Sequence, residues 1–179
     1  MRVLLVKPEF RNVFTKLSLI TTEPLELEYM SAICKNHGVE SRICDLTIRG
    51  KSLRYMLKKF QPDMVAITAN FVHIYAVRKY VALIKQYNPN IITVVGGPHA
   101  EVMPEDFQFD GIDVITHSGG FRAFETLITR MAACRTAESA NSNDKGFSKS
   151  DINYEDVKGI CYKKDDEWIK NEREFFDIT

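Results

Sequence analysis

Three of the four histidines, His73, His99 and His117, lie just after short apolar runs rich in β-branched residues, as do the pairs Gly96-Gly97 and Gly119-Gly120. Imidazoles in such places could ligate a metal or move protons. Glycines there let a backbone approach a bulky ligand, or simply supply the positive φ of a tight turn. Each histidine comes from a different segment and none has a carboxylate spaced to orient it, so a protein-built metal centre is not expected. Neither a Ser/His/Asp set nor a nucleophile elbow is present. Glu101 and Glu105 follow the first glycine pair and read as the solvated start of a short helix. No catalytic acid or base emerges. The pattern points to binding.

Composition narrows what could be bound. Among 179 residues, 24 are basic and 24 acidic, so no basic stripe invites nucleic acid. No apolar stretch approaches the ~20 residues of a membrane span. The opening "MRVLLVKP" is interrupted too early by Lys7-Pro8 to act as a signal segment. Cys34, Cys44, Cys134 and Cys161 are scattered, with no CxxC or CxxxCxxC. Reduced, mostly buried thiols in a cytoplasmic protein are the expectation, with no iron–sulfur cluster held by that motif.

The elements that must position the glycines alternate. Apolar runs at "RVLLVKP", "ESRICDLT", "DMVAITANF", "IITVVGG" and "DVITHSGG" read as strands. Between them lie helical patterns: "PLELEYMSAICKNHG", with Pro24 at its start and Gly38 at its stop, then "SLRYMLKKF", "VHIYAVRKYVALIKQYN" and "AFETLITRMAAC". Continuous apolar strands joined by helices predict a doubly wound, flavodoxin-like (Rossmann-like) α/β domain over 1–134, with five parallel strands in the order 2-1-3-4-5. Residues 135–153 are small and polar and read as a linker. Residues 154–179 read as a short hairpin or connector pinned on the sheet edge by Ile160, Tyr162 and Trp168.

Such sheets bind ligands outside the carboxyl ends of their strands. A dinucleotide site is excluded, because the turn after the first strand, "KPEFRNVF", has no glycine. A phosphoacceptor site is excluded too, because "ITAN" ends the third strand without an Asp, and no P-loop occurs. The glycines cluster instead on the far half of the sheet.

In this order, "PLELEYMSAICKNHG", "QPDMVAIT", "NPNIITVVGGPHAEVMPEDF" and "GIDVITHSGG…FETL" resemble the cobalamin-binding domain that precedes the barrel of cobalamin-dependent radical S-adenosylmethionine enzymes. The tail "GICYKKDDEWIKNEREFFDIT" resembles the connector into that barrel. The resemblance implies a corrin over the carboxyl edge and a nucleotide tail between the glycine-rich loops. It places Gly96, Gly97, Pro98 and His99 beside tail and corrin, and Ser118, Gly119 and Gly120 along the tail. Thr21, Thr22 and Leu25 would approach from the first loop and helix. Asn70 and Phe71 would lie under the corrin, with Phe71 and Tyr75 as core aromatics the alternative.

Two features depart from the family's usual pattern. A Gly-Glu-Gly-Glu run after the fifth strand is replaced by "HSGGFRAFE", and a glycine of the first helix by Glu26. "DLTIRG" has Thr47 where cobalamin carriers of another kind place a cobalt-ligating His, and it reads as a loop. The implied function is a carrier for a radical methyltransferase-type enzyme whose radical module is a separate domain or subunit. A cofactor-free interaction module of the same ancestry, or a binder of a flavin or nucleotide, are the alternatives.

Overall fold

A strand that is apolar on both sides must be covered on both sides. The computed structural model, which describes residues 1–9, 23–140 and 152–174, meets that demand with helices on each face of one sheet. The strands are β1 (Arg2–Lys7), β2 (Glu40–Asp45), β3 (Met64–Thr68), β4 (Ile92–Gly96), β5 (Val114–Thr116), β6 (Ile160–Lys164) and β7 (Glu167–Lys170). The helices are α1 (Leu25–Asn36), α2 (Leu53–Phe60), α3 (Ile74–Tyr87), α4 (Pro98–Val102) and α5 (Gly120–Ala140). Side chains alternate between two cores with a period of two. Leu4, Val6, Val65, Ile67 and Val95 pack under α2 and α3. Val3, Leu5, Met64, Ala66 and Val94 pack under α1 and α5.

β1 to β5 are parallel and ordered 2-1-3-4-5, as the alternation of strand and helix predicts. The expected five strands with a separate hairpin tail need correction, because the sheet has seven. β6 pairs antiparallel with β5, Thr116 facing Ile160, and β7 pairs antiparallel with β6. The turn between them places Asp165 and Asp166 at φ 48° and 67°, the left-handed pair a tight hairpin requires. Aspartates tolerate that region better than most residues, so "KKDDE" carries the turn without glycine.

The last helix also differs from expectation. It runs to Ala140, six residues past the expected end at Cys134. Arg135, Ala137 and Glu138 are good helix formers that lack apolar periodicity, and so resemble linker. The rest of the expected linker, 141–151, lies outside the described residues.

β5 and the hairpin are tied at one end of the sheet. The His117 backbone N–H donates to the Gly159 carbonyl at 2.7 Å, and Nε2 of the same histidine donates to the Asn171 carbonyl at 3.2 Å. His117 is 2% exposed, and its Nδ1 has no partner among the described residues. Burial holds this imidazole's pKa below its ordinary value, and the charges of Lys170 and Arg173 lower it further. Glu105 of the 3-10 turn Pro104–Phe107 also acts on it, while paired with Lys170 at 3.2 Å.

Gly97 is fixed by sterics. Its φ is +104°, and a Cβ there would stand 2.8 Å from the Ala69 nitrogen and 2.9 Å from the Ala69 oxygen. Gly97→Ala is expected to lower stability by about 2 kcal/mol or more, read as a reduced urea midpoint. His117 gives a second expectation. Its neutral form stabilises the fold fully above about pH 6.5, the ordinary histidine value. That stability is lost as pH falls from there toward the lowered folded value, because the unfolded chain takes up the proton first. The melting temperature should fall between pH 7 and pH 5 more in the wild type than in His117→Gln, which keeps a donor for Asn171 but does not titrate there.

Candidate functional site

β1 lies between β2 and β3, and the chain leaves those strands to opposite faces of the sheet, so a crevice opens at the carboxyl ends of β1 and β3. It deepens on the α1/α5 face into a cavity of about 500 Å³. Its floor is apolar: Ala66 and Val94 from the sheet, Leu27 and Met30 from α1, and Phe124 from α5. The alternation of the strands puts Ala66 and Val94 on this face, and Leu27 and Met30 are helix neighbours three residues apart. Its rim is polar, with Lys7, Glu23, Glu26, Thr68, Asn70, His73, Glu101 and Thr116. An apolar cleft with a few convergent polar groups is the usual form of a small-molecule site.

The rim groups are tied down in different degrees. Lys7 lies 3.5 Å from Asp45, whose carboxylate also accepts the Thr47 amide at 2.9 Å. That contact makes "DLTIRG" an Asx-type loop anchored to the crevice. His73 accepts the Asn70 amide on Nδ1 at 3.1 Å. Burial lowers its pKa, and neighbouring Lys7 adds to the effect, so the rim holds a neutral imidazole at pH 7. Glu23, Glu26 and Glu101 outnumber Lys7 and leave the rim negative.

The residues singled out by sequence divide. Asn70, Gly96, Gly97, Pro98 and Gly120 line the cavity together. His99, Ser118 and Gly119 stand beside it but not in its lining. His99 Nε2 pairs with Asp106 at 2.7 Å, and its ring meets Phe107 edge-on. The Ser118 hydroxyl accepts the Glu174 amide at 2.8 Å. Leu25 and Phe71 are exposed, 66% and 72%, and Tyr75 is more so, which excludes the core-aromatic alternative for that pair. Thr21 and Thr22 lie outside the described residues.

The glycines have structural tasks as well. The place of a Gly96 Cβ is taken by the Thr116 hydroxyl, and that of a Gly97 Cβ by the Ala69 backbone, whose N–H donates to the Gly96 carbonyl at 2.7 Å. Only Gly120, at the first turn of α5, has ordinary van der Waals room, facing Thr116 and Glu101.

Sequence reasoning missed Lys7, Met30, Thr116 and Phe124. Lys7 and Thr116 end β1 and β5, so the rule that ligands sit at strand ends could have found them. Met30 and Phe124 needed the inward stripe of each helix to be followed to its first turns. A collar of exposed apolar residues also went unread: Tyr29 stacked on Phe121 at 4.7 Å, then Phe71, Tyr75, Val102 and Met103 on segments following β3 and β4.

A larger cavity, about 690 Å³, opens between α2 and α3, but no strand residue lines it and it lies away from the crevice. Among the described residues no three His, Cys, Asp or Glu side chains converge as a metal site. No helix among them is long and apolar enough to cross a membrane.

Comparison with known proteins agrees with this geometry. Residues 18–128 match the B12 binding domain family model. The chain is 28% identical to the uncharacterized methyltransferase PH0819 of Pyrococcus horikoshii over 141 residues, 75% of this chain and 30% of that protein. It is 33% identical to the cobalamin-dependent radical SAM methyltransferase TokK of Streptomyces tokunonensis over 75 residues, 40% of this chain and 11% of that protein. The structure of the cobalamin-dependent S-adenosylmethionine radical enzyme OxsB shares the fold, with a TM-score of 0.69 at 19% identity, over 98% of this chain and 22% of that one. The chain thus spans less than a third of the length of each of these relatives. With the family model covering more than half of its residues, and a cavity at the switch point of the matching fold, the chain belongs to the B12-binding domain family.

Proposed function

We propose that this chain binds cobalamin as a carrier domain, working with a radical S-adenosylmethionine module that lies outside these 179 residues. The observation that carries this reading is the cavity: a deep apolar floor under a polar rim, at the carboxyl edge and within the region that matches the family. A flat nucleotide base suits the slot between Leu27 and Met30 on one side and Phe124 on the other, over Ala66 and Val94. Lys7 and Thr116 would meet the phosphate and ribose that follow it, with Thr68 and Asn70 nearby. Gly96, Gly97, Pro98 and Gly120 keep the lining low, while His99, Ser118 and Gly119 support it from behind. The exposed collar, including Leu25 and Phe71, would lie against the corrin, with Thr21 and Thr22 approaching from the first loop.

Bound there, cobalamin would supply a cobalt centre able to carry a methyl group or electrons. The chain's own part is to bind, orient and shield. Generating a radical requires a cluster for which this sequence has no CxxxCxxC, so methyl transfer to an unactivated carbon is assigned to the partner module. A reducing, cytoplasmic setting suits four cysteines that are all free, three of them buried with thiol pKa values pushed up to about 11. The negative rim disfavours flavin nucleotides and other phosphate-rich ligands.

Purified protein mixed with hydroxocobalamin and desalted is expected to retain it near one equivalent, with a shifted visible spectrum. Ala66→Phe, which fills the floor, should weaken retention more than tenfold while circular dichroism still reports a folded chain. If a folded wild type releases all its cobalamin on desalting, a cofactor-free interaction module becomes the better account.

A further inference from the structure

Residues 152–174 do more than extend the sheet. Across its carboxyl edge Thr116, Ile160 and Asn171 stand in one row, since Thr116 pairs with Ile160 and the Asn171 amide donates to the Ile160 carbonyl at 2.9 Å. Beyond that row, the turn that follows β5 is gripped from several sides. The Gly159 carbonyl accepts the amides of His117 and Ser118, at 2.7 and 3.2 Å. Asn171 offers its carbonyl to His117, Glu174 donates its amide to the Ser118 hydroxyl, and the Glu174 carboxylate accepts from Arg122 at 3.1 Å. A Cβ on Gly159 would collide with the Ser118 carbonyl, so the two backbones are in direct contact. The gripped turn is flanked by Thr116, Gly120 and Phe121, all of which line the cavity.

Asn171 anchors this grip. Its side-chain amide donates to two backbone carbonyls, Tyr154 at 2.7 Å and Val157 at 2.8 Å, and its own backbone donates to Ile160 and accepts from His117. Both side-chain protons and both backbone groups are committed, which no aliphatic residue could reproduce. We propose that Gly159 and residues 171–174 form a strap that holds the fifth-strand wall of the cavity, with Asn171 as its positioning residue. The sequence reading of this segment as a detachable connector is thereby replaced: the wall formed by 116–121 depends on a segment forty residues further along the chain. The ligand named in the test rests on the cobalamin reading. The strap itself does not.

The test uses the full chain, hydroxocobalamin as probe, and hydrogen exchange at the Ser118 amide. Asn171→Ala leaves two carbonyls without donors. It is expected to raise the dissociation constant about tenfold and to speed exchange at Ser118. Val157→Ala serves as control: it removes buried packing from the same segment without touching the turn. It should lower the melting temperature with the dissociation constant within about twofold of wild type. If Asn171→Ala does not fold, Arg122→Ala, which releases only Glu174, should still speed exchange at Ser118 and weaken binding about threefold. Equal binding by wild type and Asn171→Ala overturns the strap and leaves the cobalamin reading standing. Equal losses in Asn171→Ala and Val157→Ala also overturn it, since the effect would then be general destabilisation. If the wild type retains no hydroxocobalamin the cofactor reading fails, and the exchange data decide the strap alone, with unchanged exchange at Ser118 refuting it.

Discussion

A parallel strand buried on both faces has nowhere but its ends to meet a ligand, and this constraint orders the whole molecule. Helices occupy the faces of β1, β3 and β4, so the carboxyl edge is where side chains of several strands and helices come together. Because β1 is flanked by β2 on one side and β3 on the other, the flanking helices diverge there and leave a hollow. The cavity is a continuation of the core under α1 and α5, with the same Ala66 and Val94 that pack the sheet forming its floor. The site and the core are one packing problem. A change at the floor would therefore act on stability and binding together.

The glycines show how closely the two demands are combined. Gly96 yields its side-chain space to the Thr116 hydroxyl, and Gly97 lets the turn after β3 lie against the turn after β4. Both are needed for the strands' ends to close on one another, and both then line the cavity because those ends are its wall. Charge is divided in a similar way. Lys7 is held by Asp45 at the crevice, while Glu23, Glu26 and Glu101 stand on exposed positions where water solvates them and their field reaches the mouth.

Much of this was legible in the sequence, for physical reasons. Unbroken apolar runs such as "MVAIT" and "ITVVG" can only be buried strands, and their alternation with helical patterns dictates parallel order. Gly97 was conspicuous because few residues tolerate its backbone. The less visible parts depend on contacts distant in sequence. Nothing in "HSGG" announces that His117 will be covered by Asn171, and no periodicity marks Arg135 to Ala140 as helix. The pairing of β6 with β5 was equally hidden: Ile160 and Tyr162 showed that the segment would pack, while which edge received it depended on β5 having an unpaired side. His99 illustrates the opposite error, a residue prominent in its motif whose ring is spent on Asp106 and Phe107.

Parity gives the two added strands a further significance. Each antiparallel strand reverses the chain, so a single one would have carried it to the amino edge, about 16 Å away for a strand of five residues. Two reversals cancel. The backbone after β7 therefore emerges on the same side as the ends of β1, β3, β4 and β5, within hydrogen-bonding distance of Ser118. An even count of strands in this hairpin makes the direction of exit a property of topology, independent of the side chains that happen to decorate it.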